Sequence, residues 1–156
     1  MIEIEAVSRR YGAVLAVDRV DLQIGAGRIY GLVGHNGAGK STLMKMMLGI
    51  VAPSAGRLRI DGRDVSGAGF RALRRTIGYL PENVALYDNL SGLETLRFFA
   101  RLKSTDPAQC APLLERVGLG AAADRSVRGY SKGMRQRLGF AQALLGAPRL
   151  LFLDEP

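Results

Sequence analysis

Cysteine is almost absent from this chain: Cys110 is the only one in 156 residues. A lone thiol excludes an intramolecular disulfide and a CxxC metal site, and it agrees with a reducing compartment. Histidine is equally scarce, so His35 has no second imidazole with which to share a metal. No apolar stretch approaches the roughly 18 residues that span a bilayer, and Met1-Ile2-Glu3-Ile4-Glu5 lacks the basic-then-apolar order of a secretory leader. Any membrane role is therefore expected to be borrowed from a partner. Zinc-finger and RNP-type motifs are missing too, and the basic residues are scattered without interleaved aromatics. The excess of 22 Lys and Arg over 14 Asp and Glu, a net charge of +8, is accordingly read as solvated surface plus pockets for phosphate, with no nucleic-acid partner expected.

What is present is enough apolar material, 47% of the residues, to bury the core of one domain. Alternating apolar and polar residues predict half-buried strands over Ile2–Val7 and Val20–Ile24, and Arg57–Asp61 leads into a turn at Asp61-Gly62, which together suggest an antiparallel sheet near the N-terminus. Arg28–Val33 and Leu150–Leu153 are nearly continuous in apolar character, the pattern of central parallel strands covered on both faces. Helical spacing marks Ser91–Lys103, Pro112–Val117 and Met134–Leu145. Pro53-Ser54-Ala55-Gly56 and Ser66-Gly67-Ala68-Gly69 are loop punctuation, and there is no internal repeat. An α/β fold class follows.

The chemistry begins at Gly34-His35-Asn36-Gly37-Ala38-Gly39-Lys40-Ser41-Thr42, which matches GxxxxGK[ST] between a strand-like run ending at Val33 and a helical stretch, Ser41–Leu48. Gly34, Gly37 and Gly39 let the backbone curl so that N–H groups, including that of Asn36, point inward at phosphate oxygens, and the helix adds the positive end of its dipole. Lys40 is expected to reach the β and γ phosphates of ATP, and Ser41 and Thr42 open the helix, with the Ser41 hydroxyl on Mg²⁺. The run LLFLDEP fits a strand of the same sheet that ends beside the nucleotide, since open α/β sheets bind ligands at the carboxyl ends of strands. Asp154 is then expected to hold Mg²⁺ through water, and Glu155 to orient or deprotonate the water that attacks the γ phosphate.

Tyr130-Ser131-Lys132-Gly133-Met134-Arg135-Gln136-Arg137 lies just before a helix. With the phosphate loop and LLFLDEP, it makes the whole chain resemble the N-terminal half of an ATP-binding cassette (ABC) ATPase, a P-loop NTPase with an N-terminal antiparallel β subdomain and a helical subdomain. The family's signature usually reads LSGGQ followed by a basic residue, Gln and Arg. Here Ser131 and Gly133 are kept, while Tyr130, Lys132 and Met134 depart from it. The resemblance implies that Ser131, Gly133 and the next helix N-terminus grip the γ phosphate of ATP on a second ATP-binding subunit, in a head-to-tail homodimer. It also implies that Tyr11 stacks on adenine. Gly78-Tyr79-Leu80-Pro81-Glu82-Asn83 falls at the family's Q-loop, with Glu82 where Gln is usual; an ionised carboxylate accepts hydrogen bonds but donates none, which changes what the loop offers the metal shell.

By the same resemblance, residues 84–145 are the helical signature subdomain within a single ABC ATP-binding domain over 1–156. That subdomain leans on an integral-membrane permease, and the protein sits in the cytoplasm, peripheral on the inner face of the cell membrane. The ABC pattern continues beyond Glu155 into a D-loop, a further strand and a switch histidine, so the chain is expected to be incomplete at its C-terminus and weak or inactive in hydrolysis alone. Two other readings stay open: a soluble non-transport ABC ATPase, and a fragment that binds nucleotide without hydrolysis. GHNGAGK, GYLPENV, FARLK and YSKGMRQRLGFAQALLG are similar, more narrowly, to the ATPase subunits that serve copper-site maturation of nitrous oxide reductase. Met44-Lys45-Met46-Met47 offers soft thioether sulfurs, but Met44 and Met47 are an i, i+3 pair on the helix after the phosphate loop and are expected to fill the core.

Overall fold

The computed structural model describes residues 1–154 and divides into two compact units, Met1–Arg74 and Arg75–Pro156. In the first, strands β1 (Ile2–Tyr11) and β2 (Val14–Ile24) form a hairpin that turns at Gly12, where φ is 56°. They pair antiparallel, with Ile2 opposite Ile24. β3 (Ala55–Ile60) takes the other side of β1, with Ile2 opposite Ile60, and the short β4 (Arg63–Asp64) completes the order β2-β1-β3-β4. Ile2, Ile4, Val7, Leu58 and Ile60 are buried. Elsewhere along the same strands Glu3 stands opposite Arg59 and Glu5 opposite Arg57, pairs of opposite charge each worth about 0.2–1 kcal/mol across a sheet.

A strict period of two would bury Ala6 after Ile2 and Ile4. Instead Ala6 adopts φ 46° in a bulge, the register shifts between Ile4 and Val7, and Val7 turns inward. The displaced Ala6 N–H donates to Asp21 Oδ1 at 2.7 Å, and the N–H of Arg19, at φ 41°, donates to Ser8 Oγ at 2.8 Å. Helix α1 (Lys40–Met47) lies against β2 and β3, burying Leu43, Met44, Met46 and Met47 as the expectation for the methionines had it. Helix α2 (Phe70–Arg74) buries Phe70 and Leu73.

Arg28–Val33 is not the central parallel strand expected of it. These residues have no regular structure, and Ile29 and Val33 are almost wholly exposed. An apolar run becomes a strand only where another strand's edge takes up its N–H and C=O groups. The edges of the four-stranded sheet are β2 and β4, and neither pairs with the run.

In the second unit, β5 (Ile77–Leu80) and β6 (Leu150–Leu153) pair in parallel, from Ile77 opposite Leu150 to Leu80 opposite Leu153. Gly78-Tyr79-Leu80 is therefore strand, and only Pro81 onwards is loop; the glycine and proline in that string disguised a strand from the sequence pattern. Helices α3 (Gly92–Lys103), α4 (Cys110–Arg116) and α5 (Lys132–Leu144) surround a core of Leu96, Ala100, Cys110, Leu114, Leu119 and Leu138, among others. α3 opens on a capping box: Ser91 Oγ accepts from the Glu94 N–H, and the Glu94 carboxylate accepts from the Ser91 N–H. That backbone hydrogen bond holds the Glu94 carboxyl below its ordinary pKa. At the far end, Lys103 Nζ donates to the Leu145 carbonyl at 3.0 Å, half-buried, and burial lowers its pKa.

Gly78 is buried because α5 packs directly on β5. A Cβ there would meet the Ala143 carbonyl oxygen, and the Leu151 Cδ1 methyl at 2.7 Å. Gly78→Ala is expected to destabilise the fold by about 3 kcal/mol. Gly69→Ala, where a Cβ meets nothing within 4 Å, should stay within about 0.5 kcal/mol. Urea unfolding of the two variants makes the comparison, and equal midpoints would contradict the packing described.

Candidate phosphate-binding site

In the first unit the phosphate loop turns on two left-handed glycines, Gly37 and Gly39, both at φ 86°. At Gly39 a side chain is doubly excluded, because its Cβ would also strike the Ala16 carbonyl oxygen of β2. Gly39 is the N-cap of α1, and no side chain caps that end, nor does an acid stand in its first turn. The first-turn amides and the positive end of the dipole are thus left to an anion without a competing carboxylate in that turn. Lys40 folds back over the loop, its Nζ donating to the carbonyls of Gly34 at 2.7 Å and His35 at 3.1 Å. The Ala38 N–H closes the turn on the His35 carbonyl at 3.1 Å, and His35 Nδ1 lies 2.8 Å from the Asn36 carbonyl oxygen. Gly34, His35, Asn36 and Gly37 are exposed, while Lys40, Ser41 and Thr42 are half-buried. Tyr11 stands at the end of β1 beside the hairpin turn, with 43% of its surface exposed.

The second unit gathers two further residues at the carboxyl end of its sheet. The Asp154 N–H donates to the Leu80 carbonyl at 2.9 Å, which fixes Asp154 where β6 ends beside the end of β5. Asp154 is buried, and its charge adds to burial in raising the pKa of the Tyr79 phenol. Glu82, two residues past the end of β5, is exposed. The rim therefore carries two carboxylates, hard oxygen donors of the kind Mg²⁺ takes. Glu155, assigned to catalysis from the sequence, lies outside the described residues.

Ser131 is the N-cap of α5, its Oγ accepting from the Met134 N–H at 3.2 Å. Ser131, Lys132 and Gly133 are exposed, and nothing stands within 4 Å of where a Gly133 Cβ would be. The departure at Tyr130 has a structural use. Its ring is buried in the helical core and its hydroxyl donates to the Ala122 carbonyl at 2.7 Å; burial raises its pKa. A leucine could fill that space but not satisfy that carbonyl. Sequence reasoning passed over Asp88, whose carboxylate meets Arg135 Nη2 of the signature string at 2.7 Å. It passed over Arg9 as well, whose guanidinium lies 4.5 Å from the centre of the Tyr11 ring. No spacing rule flags the first pair, 47 residues apart.

Residues 17–156 match the family described as ABC transporter. The chain belongs to the ABC transporter family. Among its ABC relatives, the lantibiotic transport ATP-binding protein SrtF of Streptococcus pyogenes is 38% identical across 100% of this chain and 66% of its own length. The bacitracin transport ATP-binding protein BcrA of Enterococcus faecalis is 39% identical across 100% of this chain and 51% of its own. A solved ATP binding subunit of an ABC transporter superposes with a TM-score of 0.87 at 32% identity, covering 99% of this chain and 66% of that one. This chain thus spans about half to two thirds of the length of the relatives it matches. The antiparallel sheet and the helices are those of the ABC-type nucleotide-binding fold. No helix among the described residues is long and apolar enough to cross a membrane.

Proposed function

We propose that the protein is the ATP-binding subunit of an ABC transporter, binding MgATP and, in the whole protein, hydrolysing it to drive transport through a separate membrane subunit. The observation that carries this reading is the loop from Gly34 to Thr42, with left-handed glycines, an uncapped helix N-terminus and Lys40 folded over the cradle. The names of the relatives support it. Lys40 and the first-turn amides of α1 hold the phosphates, Tyr11 stacks on the base, and Ser131 and Gly133 of a second copy engage the γ phosphate in a head-to-tail dimer. Mg²⁺, when bound, neutralises charge on the β and γ phosphates. The Ser41 hydroxyl in the first unit, and the Asp154 and Glu82 carboxylates in the second, are each hard oxygen donors of the kind it takes.

The membrane subunit has a candidate landing place in the helical unit. Tyr87 and Phe98 meet edge to face with centroids 5.5 Å apart, both rings exposed, and Leu102 stands exposed one turn further along α3. Aromatic and leucine side chains in water suit an apolar partner segment. A protein with Tyr87→Ala and Phe98→Ala is expected to capture the membrane subunit at least tenfold more weakly, a typical loss for paired aromatic anchors. Its MgATP affinity, read by calorimetry, should hold. Wild-type protein that binds no MgATP would overturn the proposal as a whole; retained capture by the double variant would overturn the docking surface alone.

The transported substrate separates two classes. The names of SrtF and BcrA point to antibiotics such as lantibiotics and bacitracin, whereas the copper-maturation role rests on the strings GHNGAGK, GYLPENV and YSKGMRQRLGFAQALLG. Deleting the gene and measuring bacitracin tolerance beside nitrous oxide reduction decides between them.

A further inference from the structure

The geometry around Tyr11 assigns a role to a residue that no motif marks: we infer that Arg9 is a positioning residue that holds the Tyr11 ring for base stacking. The inference rests on the reading of Tyr11 as the base-stacking aromatic. Arg9 and Tyr11 are two residues apart on β1, at the end where its register with β2 shifts between Arg9 and Arg10. The Arg9 guanidinium lies over the ring, its carbon 4.5 Å from the centroid. Its Nη1 donates to the Ala52 carbonyl at 2.8 Å, and its Nε is buried with no hydrogen-bond partner among the described residues. An arginine placed in this way is held between the ring and the loop that follows α1; it is not a solvated surface charge.

That loop is itself fastened to β1. The Ser54 N–H donates to the Ser8 carbonyl at 2.8 Å, and the Arg10 N–H donates to Ser54 Oγ at 3.1 Å. Arg9 therefore links the ring to the segment that leaves the far end of the phosphate-loop helix. With one face of Tyr11 under the guanidinium, a planar base can stack only on the other face. A cation on the covered face also draws density from the ring, so an electron-rich purine gains from the stack. On this inference Arg9 acts through the Tyr11 ring and the base, so its contribution is separable from that of the phosphates.

The test compares MgATP with magnesium tripolyphosphate, which has the phosphates and no base, by calorimetry on the purified protein. Tyr11→Ala is expected to weaken MgATP and leave tripolyphosphate unchanged. Arg9→Met is expected to weaken MgATP about two- to five-fold, the scale of a cation–π contact, again with tripolyphosphate unchanged and with no further loss in the Tyr11→Ala background. Arg9→Lys, which keeps the charge without the planar group, should fall between wild type and Arg9→Met, and it serves as the reporter if Arg9→Met does not fold. Equal losses for both ligands, or an Arg9 effect that adds fully to that of Tyr11→Ala, would overturn the inference and leave Arg9 a general strut. If Tyr11→Ala itself leaves MgATP affinity unchanged, it is the base-stacking reading that has failed, and the role of Arg9 falls with it.

Discussion

Replacing Lys40 by alanine is expected to lower ATP turnover at least 100-fold, the scale on which one preorganised charge contact to a reacting group acts. The Lys40 ammonium has three donors, and two are already spent on the Gly34 and His35 carbonyls. Those bonds fix where the third points and close the loop over its own concavity. Alanine removes the charge and the closure together, so MgATP affinity should fall as well as turnover. Lys40→Arg is informative beside it, because a planar guanidinium restores the charge but not the compact point that the two carbonyls grip. It is expected to recover little of the activity. Phosphate release and calorimetry on the two variants measure this. A Lys40→Ala protein with turnover within threefold of wild type would remove the phosphate loop from the mechanism.

Glu155→Gln is expected to separate binding from chemistry. The residue before it, Asp154, is fixed at the carboxyl end of β6 by its backbone bond to Leu80; Glu155 itself lies outside the described residues, and its proposed role with the attacking water rests on the run LLFLDEP. An amide keeps the size of the carboxylate and loses its basicity. Turnover should drop about 10²- to 10⁴-fold, the range for a general base, with MgATP affinity retained and a nucleotide-bound dimer accumulating on gel filtration. Normal turnover in this variant would assign the base elsewhere on the rim, and Glu82 would be the next carboxylate to replace.

The parts of the fold that the sequence disclosed are those whose signal is local and uninterrupted. β6 over Leu150–Leu153, the methionine face of α1 and the helices beginning near Ser91 and Ser131 were all readable from spacing and caps. β1 was read only as far as Val7 because the bulge at Ala6 breaks the alternation that announces a strand, although the strand continues to Tyr11. β2 was read from Val20 because Arg19, at a positive φ, interrupts it in the same way. Ile77–Leu80 was hidden by a glycine whose absent side chain is what admits α5. Arg28–Val33 failed in the opposite direction: its composition suits a buried strand, but composition cannot supply the neighbouring edge. The candidate site divides along the same line. Consecutive residues such as Gly34–Thr42 announce themselves, whereas Asp88 with Arg135 exists only once the loop before α3 reaches the start of α5.

The hairpin tip that carries Tyr11 also suits an optical experiment. The chain contains no tryptophan, so an indole introduced at position 11 becomes its sole long-wavelength emitter, set at a half-exposed ring position beside the turn. Light from that one group would report arrival and departure of a base in real time, free of background from the rest of the molecule.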